Sequence, residues 1–288
     1  MRSRWLWDAR ASELYERIME LPEYYLPRAE EKLLERYAGE IASVTAPRTV
    51  VELGSGSSVR TTILLDALPQ LERFVAVDAS PNSLADAGAR LTARYPQLEV
   101  LGLVGDFELD LPGPYEEVLV ICLGSTIGAL EPADRAALLI AIRRTLGSSG
   151  ALLLGLDLVK PVDRILAAYN DGEGLSAALI SNLLPILNRE LGADFRPERF
   201  RSEAVWNPEL ERMEMSVRSL AAQTVTLRAI DLVVEFAQGE TLRTEISTKF
   251  RRERVERELG EAGLAVEAWW THDPGDFALC LARSSQGT

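Results

Sequence analysis

Histidine and cysteine are scarce in this sequence of 288 residues. It contains one histidine and two cysteines, whereas a zinc site needs several such ligands at suitable spacing, so no metal site is expected. A Ser-His-Asp hydrolase would depend on His272, whose surroundings "WWTHDPGDF" indicate a hairpin turn. Cys122 and Cys280 lie in apolar, strand-like runs and are expected to be reduced core residues.

Basic character, membrane spans and targeting segments are also lacking. The net charge is -13, the pI is about 4.8, and no basic stripe offsets the acidity, which disfavours a nucleic-acid partner. No run is long enough to cross a membrane, and the N-terminal "MRSRWLWDARASEL" has no apolar signal core. We therefore expect a cytoplasmic protein, and the acidic surface without an obvious apolar stripe favours a monomer.

Apolar residues make up 47% of the chain, which is enough for a substantial core. Short Val- and Leu-rich runs alternate with helical stretches at residues 60–68, 83–94 and 132–146. This alternation predicts a parallel sheet covered on both faces, in a doubly wound, Rossmann-like α/β domain. The five runs are "TVVEL", "RFVAVD", "LEVLGLV", "EVLVICL" and "ALLLGLD".

The pattern changes after the fifth run. Residues 161–192 have helical spacing, as do residues 1–48, whereas the stretch from about residue 200 to 247 alternates as antiparallel strands do. Its runs include "TVTLRAIDLVVEF", and "AQGE" is expected to be a hairpin turn. A helix ending at Gly263 and two strands close the chain. We therefore expect an inserted α+β segment at residues 158–249.

The strand ends carry the candidate site, because ligands in such folds bind outside the carboxyl ends of the strands. The first run continues as "VVELGSGSSVRT", where Gly54 and Gly56 allow a tight turn and a close approach to a ligand. The dinucleotide fingerprint would have a third glycine at Val59. Glu52 disfavours a pyrophosphate and suits a positive ligand, such as a sulfonium with an α-amino group.

Acidic residues stand at the ends of the next two runs. Asp78 is placed to accept hydrogen bonds from ribose hydroxyls. Asp106 is placed to accept from an adenine amino group, and Phe107 to stack on its ring. Each acid alone would also suit a helix cap. Acids at three successive strand ends favour an adenosine ligand, with S-adenosylmethionine ahead of NAD.

A series of motifs in one order resembles the histidine Nα-methyltransferases of ergothioneine biosynthesis, a group with related amino-acid N-methyltransferases. The resemblance covers about residues 5–283 and is carried by "LPEYYLPRAE", "ELGSGSSVRT", "VGDF", "LGSTIGAL", "LLGLDLVK", "AAYND", "LNRELGADF", "RTEISTKFR" and "GDFALCLA". It implies an S-adenosylmethionine-dependent enzyme that methylates the α-amine of histidine or a close analogue. It also implies a class I methyltransferase domain (29–157 and 250–288) and a substrate-binding domain (1–28 and 158–249).

The resemblance assigns roles to residues of both domains. For the cofactor it implies the glycine turn at Gly54, and Arg60 in place of the lysine that meets the methionine carboxylate. The ribose and adenine assignments at Asp78, Asp106 and Phe107 agree with the family. For the substrate it implies Tyr24 and Tyr169 at the amino-acid end, Met215 in the side-chain pocket, and Glu245 with Ser247 on the imidazole. Tyr24 is also the candidate catalytic residue, as a carrier of the proton that the amine releases.

The Glu245 and Ser247 pair has its own pattern, because residues i and i+2 on a strand share one face. A carboxylate beside a hydroxyl suits a ring or guanidinium N–H. On periodicity alone, "RTEIST" would equally be an exposed polar strand face. The resemblance favours the pocket.

The loop "ICLGSTIGAL" after the fourth run is expected to approach the substrate. It is not a nucleophile elbow, because its serine directly follows the first glycine and no histidine is at hand. Gly124 would let the backbone run close to the reactive methyl, and Thr126 would offer a hydroxyl. Two positions depart from the family: Trp7 replaces a tyrosine, and Ala129 replaces an asparagine that binds the substrate.

These departures leave the substrate open. A different amino acid or amine, with a guanidine, indole or other imidazole side chain, is one alternative. A catalytically impaired homologue that binds S-adenosylmethionine is another, and an NAD-dependent oxidoreductase is disfavoured by Val59.

Overall fold

The computed structural model describes residues 7–56, 58–105, 111 and 113–285. The chain divides into two compact units: Met1–Tyr25 with Lys160–Thr248, and Leu26–Val159 with Lys249–Thr288. We call these the insert unit and the sheet unit.

Helices and strands follow each other along the described chain in the order expected for an interrupted α/β protein. The helices are α1 (Ala9–Glu20), α2 (Leu26–Thr45), α3 (Thr61–Leu65), α4 (Pro81–Arg94), α5 (Pro132–Leu146), α6 (Val162–Tyr169), α7 (Leu175–Ser181), α8 (Leu183–Leu191) and α9 (Arg252–Glu261). The strands are β1 (Thr49–Leu53), β2 (Arg73–Asp78), β3 (Glu99–Val104), β4 (Val118–Cys122), β5 (Ala151–Asp157), β6 (Phe200–Asn207), β7 (Arg212–Ser219), β8 (Gln223–Leu227), β9 (Leu232–Phe236), β10 (Thr241–Thr248), β11 (Leu264–Thr271) and β12 (Phe277–Ser284).

The sheet unit is built on a seven-stranded sheet of order β11-β12-β5-β4-β1-β2-β3. Strands β1 to β5 run parallel, and β12 lies antiparallel beside β5. Strands β1, β4 and β5 are buried along their whole length, as expected for strands with both faces covered. The predicted Rossmann-like α/β fold is confirmed.

Local signals fix where the helices of the sheet unit begin. Ser80 accepts a hydrogen bond from the Ser83 N–H at 3.3 Å, and Pro81 occupies the first turn of α4. Pro132 starts α5 in the same way. A helix is predicted at residues 60–68, whereas the observed α3 is shorter and ends at Leu65.

The insert unit contains a three-stranded sheet, β10-β7-β6, and a two-stranded sheet, β8-β9. Its core gathers apolar side chains from β7 and α8 around Phe195, Phe200 and Phe236, whose rings pack at 5.4–6.2 Å. The run "TVTLRAIDLVVEF" folds back on itself, since Asp231 adopts a left-handed conformation (φ 49°) after a short 3-10 turn. "AQGE" forms a turn, but β9 and β10 on either side pair with different strands. The expectation of a β-hairpin there was wrong.

Two further expectations concern residues outside the candidate site. Cys122 and Cys280 are free and buried, and burial raises the pKa of each thiol to about 12. His272 lies in the turn between β11 and β12, where its Nδ1 donates to the Asp273 carbonyl oxygen at 2.9 Å.

Among the helices in the described part of the chain, none is both long and apolar enough to cross a lipid bilayer.

Candidate active site

The glycine-rich loop after β1 is held against the end of β2. Gly54 and Gly56 adopt positive φ angles of 67° and 49°, which favour glycine. The Gly54 N–H donates to the Val77 carbonyl oxygen, and the Gly56 N–H donates to Asp78 Oδ2, both at 2.9 Å. A Cβ built on Gly56 would meet no atom of the surrounding described residues within 4 Å, so this part of the structure leaves open space beside the loop.

Asp78 joins this loop to the next helix. Its Oδ2 accepts from Gly56 at 2.9 Å, and its Oδ1 accepts from the Ser80 N–H at 2.8 Å. Each carboxylate oxygen has a second lone pair that a ligand hydroxyl can use. The side chain thus stands at the strand end that the sequence indicated, already oriented by two backbone donors.

Glu52 lies beneath the loop rather than on its surface, with 3% of its area exposed. Ser58 Oγ donates to Oε2 at 2.7 Å, and Thr61 Oγ1 donates to Oε1. Burial raises the pKa of Glu52 to about 7, against the opposing effect of these hydroxyls. The carboxylate therefore joins β1 to its loop and to α3, a role that the sequence pattern did not reveal. Direct contact with a cationic ligand stays a prediction.

Arg60 stands at the N-terminus of α3 and meets a buried acid. Its Nε donates to Glu30 Oε2 at 3.1 Å. Glu30 Oε1 accepts from the Gly124 N–H at 2.7 Å, across 94 positions of sequence. Glu30 is not among the residues that the sequence motifs indicate. Its signal is an acid within the apolar stripe of α2, in line with Leu33 and Leu34.

The loop after β4 has an unusual backbone. Gly124 and Ser125 both have positive φ, 67° and 58°, and such a conformation is uncommon for serine. Ser125 Oγ accepts from the Asp157 N–H at 3.0 Å, which ties the loop to the end of β5. Thr126 Oγ1 donates to the Leu123 carbonyl oxygen at 2.8 Å. Half-buried Ala129 ends the short 3-10 helix that Thr126 begins. Asp106 and Phe107 lie outside the described residues.

In the insert unit, a row of aromatic rings leads to Tyr24. The ring of Tyr24 packs edge-on against Tyr15 at 6.1 Å and Tyr169 at 6.2 Å, and Trp7 packs against Tyr15 at 5.2 Å. The hydroxyls of Tyr15 and Tyr24 are 3.4 Å apart. Tyr15 was not singled out by the sequence, since its place in α1 reads as ordinary helical spacing. Trp7, which stands where the resembled family has a tyrosine, thus belongs to the same row of rings as Tyr24.

Four predicted substrate residues come together beside this row. Tyr169 Oη and Ser247 Oγ are 2.7 Å apart and share a hydrogen bond. Glu245 and Ser247 lie on one face of β10, both half-buried, while Ile246 and Thr248 are buried on the other. Met215 is the register partner of Glu245 on β7, so the two side chains share a face.

The fold gives the first level of classification. The sheet order, with an antiparallel strand beside β5 and a glycine-rich loop after β1, is that of a Rossmann-like α/β protein. The structure is similar to an S-adenosylmethionine-dependent methyltransferase from Clostridium acetobutylicum, with a TM-score of 0.56 and 13% identity over 94% of this chain and 98% of that one. A methyltransferase from Streptomyces caelestis gives 0.54 at 13% identity, over 88% of this chain and 90% of its own.

Comparison of the sequence with known families assigns the chain to a more specific group. The model of a family described as histidine-specific, SAM-dependent methyltransferases matches residues 1–284, and the chain belongs to this family. It is 46% identical to the histidine N-alpha-methyltransferase of Mycolicibacterium smegmatis, over 97% of this chain and 88% of that protein. The Mycobacterium tuberculosis protein of that name is 42% identical over the same shares. The predicted family, enzyme class and S-adenosylmethionine dependence are confirmed.

Proposed function

We propose that the protein transfers methyl groups from S-adenosylmethionine to the α-amino nitrogen of L-histidine. The similarity to histidine N-alpha-methyltransferases along nearly the whole chain carries this proposal. A role in making ergothioneine is supported by the Neurospora crassa ergothioneine biosynthesis protein 1, which is 29% identical over 98% of this chain but 33% of its own length.

For this reaction the protein mainly has to position the methyl donor and the amine, rather than supply reactive side chains. S-adenosylmethionine supplies a methyl group already activated by a sulfonium. The protein must hold a neutral amine in line with the C–S bond and exclude water while the C–N bond forms. The amine then gives up a proton. Tyr24 is proposed as its carrier, because its hydroxyl lies near that of Tyr15 and can pass the proton on.

Cofactor binding is assigned to the sheet unit. The open space beside Gly56 and the oriented carboxylate of Asp78 fit an adenosine whose ribose hydroxyls donate to the acid. Gly54 and Glu52 shape the same loop. Arg60, whose side chain is partly exposed, is assigned to the carboxylate of the methyl donor. Asp106 and Phe107 remain proposed for the adenine.

Substrate-binding residues are proposed within each unit. In the insert unit, Tyr24 and Tyr169 would hold the amino-acid end, and Glu245 with Ser247 would accept from the imidazole N–H groups beside Met215. In the sheet unit, the proposed residues are Gly124, Thr126 and Ala129. Because the Thr126 hydroxyl hydrogen is used on Leu123, its oxygen is expected to act as an acceptor.

Ala129 supports a second candidate, an N-methyltransferase of another amino acid or amine. Alanine has no polar group to bind the substrate's amino or carboxylate end, and the loss of such a contact costs about 1–3 kcal/mol. The half-buried Glu245 still favours a cationic or N–H-bearing side chain. A substrate with such a side chain but a different amino-acid end would fit both observations.

The deciding experiment offers S-adenosylmethionine with a panel of amino acids and follows product mass. The proposal expects a mass gain on histidine; a gain only on an indole or guanidine compound would establish the second candidate. Glu245→Ala should weaken histidine binding much more than S-adenosylhomocysteine binding, and Asp78→Ala should do the reverse. Equal losses in either variant would contradict that residue's assignment.

A single chain in the cytoplasm is the proposed functional form. The free, buried cysteines support a reducing compartment, and the net charge of -13 favours self-repulsion over association. Light scattering of the purified protein tests whether it is a monomer, and cell fractionation tests whether it is cytoplasmic.

A further inference from the structure

Glu30 is a fully buried carboxylate with two partners that are distant in sequence. Its side chain has 0% exposure, whereas that of Arg60 has 27%. Oε2 accepts from Arg60 Nε at 3.1 Å, and Oε1 accepts from the Gly124 N–H at 2.7 Å. Burying an ionised carboxylate is costly unless charged and hydrogen-bonding partners compensate it. The sheet unit therefore keeps this acid where an apolar residue would continue the buried face of α2.

Gly155 shows that space in the sheet is kept for this carboxylate. It lies inside β5, where a glycine weakens a strand. A Cβ built on Gly155 would overlap Glu30 Oε1, and it would lie 3.3 Å from the Gly124 nitrogen and from Leu123 Cα. Gly155 is not among the residues with positive φ. The glycine is thus explained by the close approach of Glu30 and of the loop after β4.

The two bonds of Glu30 act on two parts of the candidate site. Holding Arg60 Nε fixes the plane of the guanidinium, and with it the directions of the Nη donors. The Nη2 atom lies 3.7 Å from the position that a Cβ on Gly124 would take. Glu30 therefore sets the guanidinium and the Gly124 backbone relative to each other.

We infer that Glu30 is a positioning residue for the methyl donor: it orients Arg60 and the Gly124 backbone before the donor's amino-acid end binds. The inference rests on the proposed function, in which Arg60 meets the donor carboxylate. Burial raises the pKa of Glu30, and Arg60 and the Gly124 N–H oppose that rise. A cation or N–H donor at both oxygens is what a buried acid needs to stay ionised. Preorganisation of this kind strengthens binding without a contact to the ligand.

The test compares two ligands, S-adenosylhomocysteine and 5′-methylthioadenosine, which lacks the amino-acid end. In Glu30→Gln, the amide NH2 group must face either the Arg60 Nε–H or the Gly124 N–H, donor to donor, so one of the two hydrogen bonds is lost. We expect S-adenosylhomocysteine to bind roughly tenfold more weakly, while 5′-methylthioadenosine stays within about twofold of the wild type. Glu31→Gln, an exposed neighbour on α2, is the matched control and should change neither.

Gly155→Ala provides an independent perturbation of the same carboxylate. We expect it to reproduce the selective loss for S-adenosylhomocysteine. Gly88→Ala is its control, since a Cβ there meets no atom within 4 Å among the residues that the structure describes. Equal weakening of both ligands in Glu30→Gln and Gly155→Ala would mean that Glu30 only stabilises the fold, and would overturn the inference.

Arg60→Met separates this inference from the proposed function. If Arg60 meets the donor carboxylate, Arg60→Met weakens S-adenosylhomocysteine binding, and adding Glu30→Gln weakens it by less than Glu30→Gln does alone, because the part of the effect that Glu30 exerts through Arg60 is already lost. Unchanged binding in Arg60→Met would refute the proposed role of Arg60 itself. Weak binding in Arg60→Met with normal binding in Glu30→Gln would overturn only the inference about Glu30.

Discussion

Replacing Glu52 by glutamine should change how the stability of the sheet unit depends on pH. Glu52 is buried, and burial raises its pKa from 4.5 to about 7. Below the lower value the carboxyl is neutral in both the folded and the unfolded chain. Between the two values the unfolded chain is ionised while the folded protein keeps the proton, so stability falls as the pH rises. Above about pH 7 the loss is complete.

The magnitude follows from that pKa. Each pH unit between the two values corresponds to about 1.4 kcal/mol, which gives roughly 3 kcal/mol in total. Glutamine does not titrate, and its amide can still accept a hydrogen bond from Ser58 or Thr61. Glu52→Gln should therefore lack this part of the pH dependence. Relative to the wild type, it should be more stable in mildly alkaline than in mildly acidic solution.

Denaturant unfolding at about pH 5 and about pH 8 would measure the difference, which should be most of the expected total. Hydrogen exchange of the β1 amides at both pH values would restrict the measurement to the sheet unit. Glu35→Gln, at an exposed position of α2, is the control for removing an acid. The same pH dependence in the wild type and Glu52→Gln would refute the reasoning.

Three further predictions concern other parts of the chain. Lys249 Nζ and Asp157 Oδ2 form a fully buried ion pair at 2.6 Å, so Lys249→Met should lower the free energy of unfolding by about 3–5 kcal/mol, and adding Asp157→Leu should restore part of it; a loss below about 1 kcal/mol would contradict this. Tyr169→Phe removes the hydroxyl bonded to Ser247 and should raise the KM for histidine roughly tenfold, with S-adenosylhomocysteine affinity unchanged in calorimetry. Ala129→Asn should increase kcat/KM for histidine if the alanine weakens that site, and a decrease would show that the pocket is built for another amine.

Much of the sheet could be predicted because its central strands β1, β4 and β5 are buried on both faces. Runs such as "TVVEL" and "ALLLGLD" are almost wholly apolar and are separated by helices, and that pattern has few other solutions. The turn at the strand-end glycines could also be predicted from the sequence, since Gly54 and Gly56 adopt conformations that favour glycine. These features are local, so the sequence alone was sufficient.

Strand pairing in the insert unit could not be predicted from the sequence in the same way. Alternation shows which residues share a face but not which strand lies alongside. The turn at Asp231 separates β8 from β9, and its left-handed backbone has no glycine to mark it. Likewise, the turn at Gly239 joins strands that pair elsewhere. Pairing depends on contacts across the fold that periodicity does not contain.

The acids of the sheet unit show why the candidate site was only partly readable. The acids at strand ends are predicted to bind ligands, and in the structure they also hold the protein's own groups: Glu52 bonds the hydroxyls of Ser58 in the loop and of Thr61 in α3, and Asp78 bonds two backbone N–H groups. Glu30, far from any strand end, holds Arg60 and Gly124. Loops rich in glycine are costly to order, and buried carboxylates with several partners hold them in place before a ligand binds. Cofactor affinity in this protein should therefore depend on residues that never touch the cofactor, and such residues are found from burial and bonding rather than from motifs.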